Sequence, residues 1–122
     1  MTWTEAQMSV YRASAQHRWQ EKRDRLYQRQ RLGLAVAQQA SDLLKQRFHV
    51  QKVVLFGSMG NPDRVHDRSD VDLAVWGLDP KDFFRAVGQL QALHREIPVD
   101  LVAAESASPR LIGEIETAGV VL

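Results

Sequence analysis

Apolar and polar positions change rhythm near residue 50, and the change organises the chain. Before it the spacing is helical. Leu32, Val36, Ala40, Leu43 and Leu44 recur at steps that put them on one side of a helix, a stripe suited to face a core. Thr4-Glu5-Ala6-Gln7 has the form of a capping box, a hydroxyl followed three residues later by an amide side chain. No proline intervenes from there to Arg47. An unbroken helix of ~40 residues would extend about 60 Å, too far to lie wholly on a domain of this size. Either it breaks near Gly33, or part of it projects and rests on something else; the favoured expectation is the break, giving pieces over 5–30 and 32–47. The first piece carries only an irregular, aromatic-rich stripe of Trp3, Met8, Tyr11, Ala15, Trp19, Leu26 and Tyr27.

After residue 50 short apolar runs alternate with turn signals. Gln51 to Phe56 predicts a strand buried on both faces, and Asn61-Pro62-Asp63 a turn in the loop that follows. A second strand opens with Asp70 and Asp72, and Pro98 to Ala103 predicts a third. Between these, Asp79-Pro80-Lys81-Asp82 reads as a helix start, with Phe83, Phe84, Val87, Leu90 and Leu93 buried up to about Arg95. Ser108-Pro109 opens a last helix with Leu111, Ile112 and Ile115 inward and Gly119 at its end. Val120 to Leu122 is either a short edge strand or a docked tail. This order predicts an α+β (α/β-like) fold, a small mixed β-sheet with helices packed on it, preceded by a long N-terminal helical region. Two segments are expected: an N-terminal basic helical extension over 1–31 and a compact domain over 32–122.

At 122 residues the chain suits a single core. It has no cysteine, which excludes disulfides, thiolate metal sites and thiol catalysis. No apolar run approaches the ~20 residues that span a bilayer, and the N-terminus does not read as a signal peptide, so a cytoplasmic location without membrane contact is the expectation. The net charge of +1 hides an asymmetry. Residues 1–47 carry nine Lys/Arg against four Asp/Glu, and residues 48–122 carry seven against eleven. His17 to Arg31 holds six Lys/Arg and two acids. Such a run serves as a solvated face laced by i,i+4 pairs such as Glu21–Arg25, or as a surface for an acidic partner. The aromatics among the charges favour a partner, in a dimer or a heterocomplex. Nucleic acid is disfavoured, because no recognised binding motif accompanies the charge.

The chemistry gathers between Val53 and Gly77. Side chains alternate along a strand, so Asp70, Asp72, Ala74 and Trp76 share one face. Two carboxylates ~4 Å apart repel by roughly 4 kcal/mol at an effective dielectric of about 20. A divalent cation removes that cost, and carboxylate oxygens suit Mg²⁺ or Mn²⁺. Asp100 is a lone acid between Val99 and Leu101, which is costly unless it has a partner. With the third strand beside the second, Asp100 joins the pair in a metal site; otherwise it meets an arginine or solvent. Gly57-Ser58 ends a strand, where exposed backbone N–H groups and a hydroxyl can cradle phosphate oxygens.

These residues in this order resemble the DNA polymerase β-like nucleotidyltransferase superfamily. More narrowly they resemble its minimal nucleotidyltransferases, the antitoxin partners of HEPN-domain toxins. The signature is a glycine-serine, about ten intervening residues, an acid-x-acid and a third acid on a later strand. Here it reads Gly57-Ser58, Asp70-Val71-Asp72 and Asp100, and the resemblance covers about residues 32–122. It implies transfer of AMP from ATP to a hydroxyl of a partner protein, a HEPN toxin. Asp70, Asp72 and Asp100 would be the catalytic, metal-binding acids for Mg²⁺ or Mn²⁺, and Gly57 and Ser58 would hold the phosphates. The usual Gly-Ser-x-Ala-Arg-Gly continuation is replaced by Gly57-Ser58-Met59-Gly60-Asn61-Pro62, so Arg64 or Arg68 would supply the positive charge by the triphosphate.

The competing reading is an antitoxin with a degenerate site that neutralises its toxin by contact alone. A phosphatase-like DxD nucleophile should follow an apolar strand, whereas these acids precede one. A DxD glycosyltransferase needs more chain than this, and a Walker-type NTPase fails for want of Gly-Lys-Ser/Thr. His66 and His94 have no partner at metal-ligand spacing.

Overall fold

The computed structural model describes residues 2–122, so Met1 of the expected extension lies outside the described residues. A single helix, α1, runs unbroken over Glu5–Phe48. At 1.5 Å per residue its 44 residues extend about 66 Å. The Thr4/Gln7 capping box forms in both directions, and His49 closes the other end in the left-handed conformation. The expected break at Gly33 is absent. Gly33 is buried against Met59, and a Cβ there would collide with the Met59 side chain, so the glycine serves a close approach rather than a kink.

The sheet has the order β3-β2-β1-β4 and is mixed, as expected. β1 (Lys52–Phe56) and β2 (Val71–Trp76) pair antiparallel through the loop over 57–70. β2 then crosses over through α2 (Phe83–Gln91) to β3 (Val99–Ala103), which lies parallel to it. α3 (Pro109–Ala118) returns the chain to β4 (Val120–Val121), antiparallel to β1, so the tail is an edge strand.

Alternation along the strands makes two cores. Val53, Leu55, Val71, Leu73, Val75 and Val99 face α1 and α2, where Val36, Ala40, Leu44, Ala86 and Leu90 meet them. Each such side chain, fully removed from water, contributes about 1.5–3 kcal/mol except the alanines. On the other face Val54 and Ala74 pack with Ile115 of α3, flanked by Phe56, Trp76, Leu111 and Ile112. α3 thus covers the middle of that face. Lys52 lies over the Trp76 ring at its far end, 4.6 Å from the centroid. The near end carries the acids.

Three other expectations need correction. α2 is shorter than expected: a 3₁₀ turn at Pro80–Asp82, capped by Asp79, leads in and the helix ends at Gln91. Phe84 is 85 % exposed, because the buried side of this short helix runs through Ala86 and Leu90. Gly119 ends α3 at φ −76°, outside the left-handed region. A Cβ there would strike the Ile115 carbonyl and Val54, so close packing is what requires glycine.

Candidate functional site

β2 is the central strand at this end of the sheet, and Asp72 is its second residue. Register places Asp72 opposite Phe56 on one side and opposite Asp100 on the other. The expected neighbourhood of Asp72 and Asp100 is therefore realised by the parallel β2–β3 pairing. Asp70 stands one residue before the ladder, half-buried like Asp72, while Asp100 is exposed. Burial, first of all, and then the negative charges of Asp100 and Asp70 and a hydrogen bond with Asp100 push Asp72 up to about 6.

No ion pair among the described residues relieves this. The ion pairs among the described residues are His17–Glu21, Arg25–Asp67, Lys81–Asp79, Arg85–Asp82 and Arg110–Glu114, and none includes the three aspartates. Among the described residues no three His, Asp or Glu side chains are gathered into a ready cation cage. Asp100 and Asp70 are nonetheless near enough to act on Asp72. Their donor chemistry, hard oxygens with uncompensated negative charge, fits a divalent cation.

The turn beside Asp72 is built by Gly57, at φ +75°, a conformation that favours glycine. A Cβ on Gly57 would run into Asp72 Oδ2, so the bare backbone of the turn passes directly against that carboxylate. Ser58 begins a 3₁₀ turn, Ser58–Gly60, whose Met59 is fully buried. The Ser58 hydroxyl donates to Ser69 Oγ at 2.9 Å, and Ser69 Oγ also accepts the His66 N–H at 2.8 Å. Within the loop Asn61 Oδ1 accepts the Asp63 N–H, forming the expected turn.

α1 holds this loop from outside. Arg29 donates twice to the Ser69 carbonyl, at 2.9 and 3.1 Å, Gln30 Nε2 donates to the Met59 carbonyl, and Arg25 pairs with Asp67 at 2.7 Å. The expected Glu21–Arg25 pair does not form: Glu21 pairs with His17 instead, because Arg25 reaches Asp67 across the loop. That partner keeps Asp67 below the usual carboxylate range. Ser69 and Arg29 carry no motif that would single them out in the sequence; only folding brings them to the Gly57-Ser58 turn.

Of the two arginines expected by the site, Arg64 lines an open groove of about 730 Å³ with Phe56, Gly57, Arg110 and Thr117. Arg68 is exposed and does not line it. Arg110, from the first turn of α3, also lines this groove, where it pairs with Glu114 of the same lining, and it has no signature in the sequence.

Residues 38–122 match the family model described as polymerase beta, nucleotidyltransferase. The chain belongs to this nucleotidyltransferase family. Within it, the solved structures that it resembles are minimal nucleotidyltransferases and toxin–antitoxin complexes, which bears out the narrower resemblance. One solved structure, assigned as a minimal nucleotidyltransferase, is 25% identical with a TM-score of 0.61, over 70% or more of both chains (76% of this one, 95% of the other). A toxin–antitoxin complex with AMP-PNP is 30% identical with a TM-score of 0.55, over 68% of this chain and 69% of the other. The tri-AMPylated Shewanella oneidensis HEPN toxin in complex with its MNT antitoxin is 29% identical with a TM-score of 0.54, over 75% and 70%. Among curated proteins no match was found. No helix among the described residues is long and apolar enough to cross a membrane.

Proposed function

We propose that this chain transfers AMP from ATP to a hydroxyl of a HEPN-domain partner protein, as the antitoxin of a toxin–antitoxin pair. The observation that carries the reading is the meeting of three features at one end of the sheet. Asp72 is in register with Asp100, Asp70 stands two residues away, and the Gly57-Ser58 turn lies against Asp72. Family membership supports the reaction class, and the similarity to complexes holding AMP-PNP or an AMPylated HEPN toxin supports the nucleotide and the partner.

In this reading the attacking hydroxyl forms a bond to the α-phosphorus, the bond from that phosphorus to the bridging oxygen breaks, and pyrophosphate leaves. Asp70, Asp72 and Asp100 would hold Mg²⁺ or Mn²⁺, which when bound neutralises phosphate charge and lowers the pKa of the attacking hydroxyl. Asp100, the most exposed of the three, would take the proton from the acceptor. The Gly57 turn and Ser58 would receive the terminal phosphates, and Arg64 would offset their charge from the groove. Arg68 keeps only an outer role, at the loop surface. In the same reading residues 1–31 are an extension and residues 32–122 the nucleotidyltransferase domain.

Titration with ATP, with and without Mg²⁺, tests the reading on wild type and on Asp72→Asn. Mg²⁺-dependent binding that Asp72→Asn weakens at least about tenfold is expected. Binding that ignores both the metal and the substitution contradicts it. One observation favours the competing reading, neutralisation by contact alone: the Ser58 hydroxyl is already committed to Ser69. An unmodified partner held equally tightly by wild type and Asp72→Asn would establish that alternative.

A further inference from the structure

Past Arg29, α1 leaves the domain without leaving its own periodicity. At 100° per residue, the side of α1 that buries Gly33, Ala37, Ala40 and Leu44 continues towards the N-terminus as Leu26, Trp19, Ala15 and Met8. Leu26 and Ala15 are half-buried, whereas the large side chains further out are open. Trp19 is 68 % and Met8 45 % exposed, and Tyr11 beside them is equally open. Lys22 and Arg18 border the stripe on one flank, Arg12 and Arg23 on the other. Gln30, Arg29 and Arg25 fix where the helix passes the site, since all three bond to the loop over 57–70 that joins the acid-bearing ends of β1 and β2. Residues 5–24 therefore stand beyond that end of the sheet, for about 30 Å. Propagating a helix from an anchored half avoids the nucleation cost, so the overhang forms without packing of its own.

The occupant follows from the charge. Residues 8–31 hold seven Lys/Arg against two acids, so pairing this stripe with that of a second copy sets like charge against like charge. Nucleic acid suits it poorly. Arg25 and Arg29 are already engaged by Asp67 and the Ser69 carbonyl, and within the stripe only Trp19 offers a ring on which a base could stack, between the non-aromatic Met8, Ala15 and Leu26. An apolar helix stripe flanked by Asp and Glu complements both parts of the surface.

We propose that residues 8–26 of α1 are a docking ridge for an acidic amphipathic helix of a partner protein, which the ridge holds across the acid-bearing end of the sheet. That the docked protein is also the AMP acceptor rests on the function proposed above; that the ridge takes an acidic helix does not. The full chain is titrated with two synthetic helical peptides that share one leucine stripe, flanked by Glu in one and by Lys in the other. The Glu-flanked peptide is expected to bind at least about tenfold more tightly. The Met8→Ala/Trp19→Ala variant, altered only at exposed positions, should keep its helicity and melting temperature and lose about tenfold or more of that affinity. Equal binding of the two peptides, no binding, or binding indifferent to the variant overturns the proposal. So does a wild-type dimer that the variant abolishes, or a single-stranded oligonucleotide that displaces the Glu-flanked peptide. ATP binding measured on the same samples separates the two claims, because a chain that binds the acidic peptide but not ATP loses the proposed reaction and keeps the ridge.

Discussion

Gly57 and Asp72 are mutually exclusive with any larger residue at the first position: a Cβ on Gly57 would occupy the place of Asp72 Oδ2. Backbone turn and carboxylate are therefore one unit, and Gly57 is held at φ +75° to make it. Gly57→Ala combines that clash with a backbone conformation costing a non-glycine residue about 1–3 kcal/mol. The variant should be less stable by about 1–3 kcal/mol in denaturant melts and lose more than about tenfold in Mg²⁺-dependent ATP affinity. A variant that binds ATP like wild type would separate the turn from the site.

The raised pKa of Asp72 makes stability depend on pH. Its folded value is about 6 against 3.8 for an ordinary aspartate. Between those values the folded chain holds more protons than the unfolded one, so stability falls as pH rises through that window and the penalty is complete above it. Asp72→Asn has no charge to bury. In EDTA above pH 6 it should be more stable than wild type, by about 1 kcal/mol once the half-exposed position is discounted for screening. The difference should vanish below about pH 4. Mg²⁺ or Mn²⁺ should close the gap at neutral pH by stabilising wild type alone. Thermal melts across pH check this, and an Asp72→Asn protein less stable than wild type at neutral pH would contradict it.

Gly33 packs against fully buried Met59, which ties α1 to the turn after Ser58. Gly33→Ala should cost about 1–3 kcal/mol by overpacking, and Met59→Ala about 2–5 kcal/mol by leaving a cavity. The double variant should cost clearly less than the sum, since the new methyl fills part of the space vacated. Denaturant melts of the four proteins give the coupling directly, and strict additivity would mean the two residues are not in contact.

Arg29 donates two hydrogen bonds to one carbonyl, that of buried Ser69. Arg29→Ala leaves that oxygen unpaired and should cost about 1–3 kcal/mol. Amide exchange over residues 61–69 should quicken, with ATP affinity falling because Ser69 holds Ser58. Arg29→Lys should recover only part, since a single ammonium cannot reproduce the fork. Unchanged exchange in the alanine variant would remove Arg29 from the support of the loop.

Much of this site was legible because strands enforce alternation. Asp72 and Ala74 on one face, with Val71, Leu73 and Val75 on the other, follow from local spacing, and so do the caps at Thr4, Asp79 and Ser108. The resemblance added the order of glycine-serine and acids. What sequence did not reveal depends on partners distant along the chain. Gly33 looked like a break because its reason, Met59, lies across the fold. Arg25 looked like the partner of Glu21 because Asp67 comes near only when the loop closes on α1. Phe84 looked buried because its spacing was read on a longer helix than the one that forms. Arg110 and Ser69 have no local signature and join the site only through α3 and the loop.

The central claim is nucleotidyl transfer to a protein, and intact mass tests it most directly. The chain is co-expressed with the HEPN-domain protein of its own host, as wild type and as Asp72→Asn, and the partner is weighed. The account predicts a partner heavier by one or more AMP units with wild type and unmodified with Asp72→Asn. A partner of identical mass in both samples would contradict it.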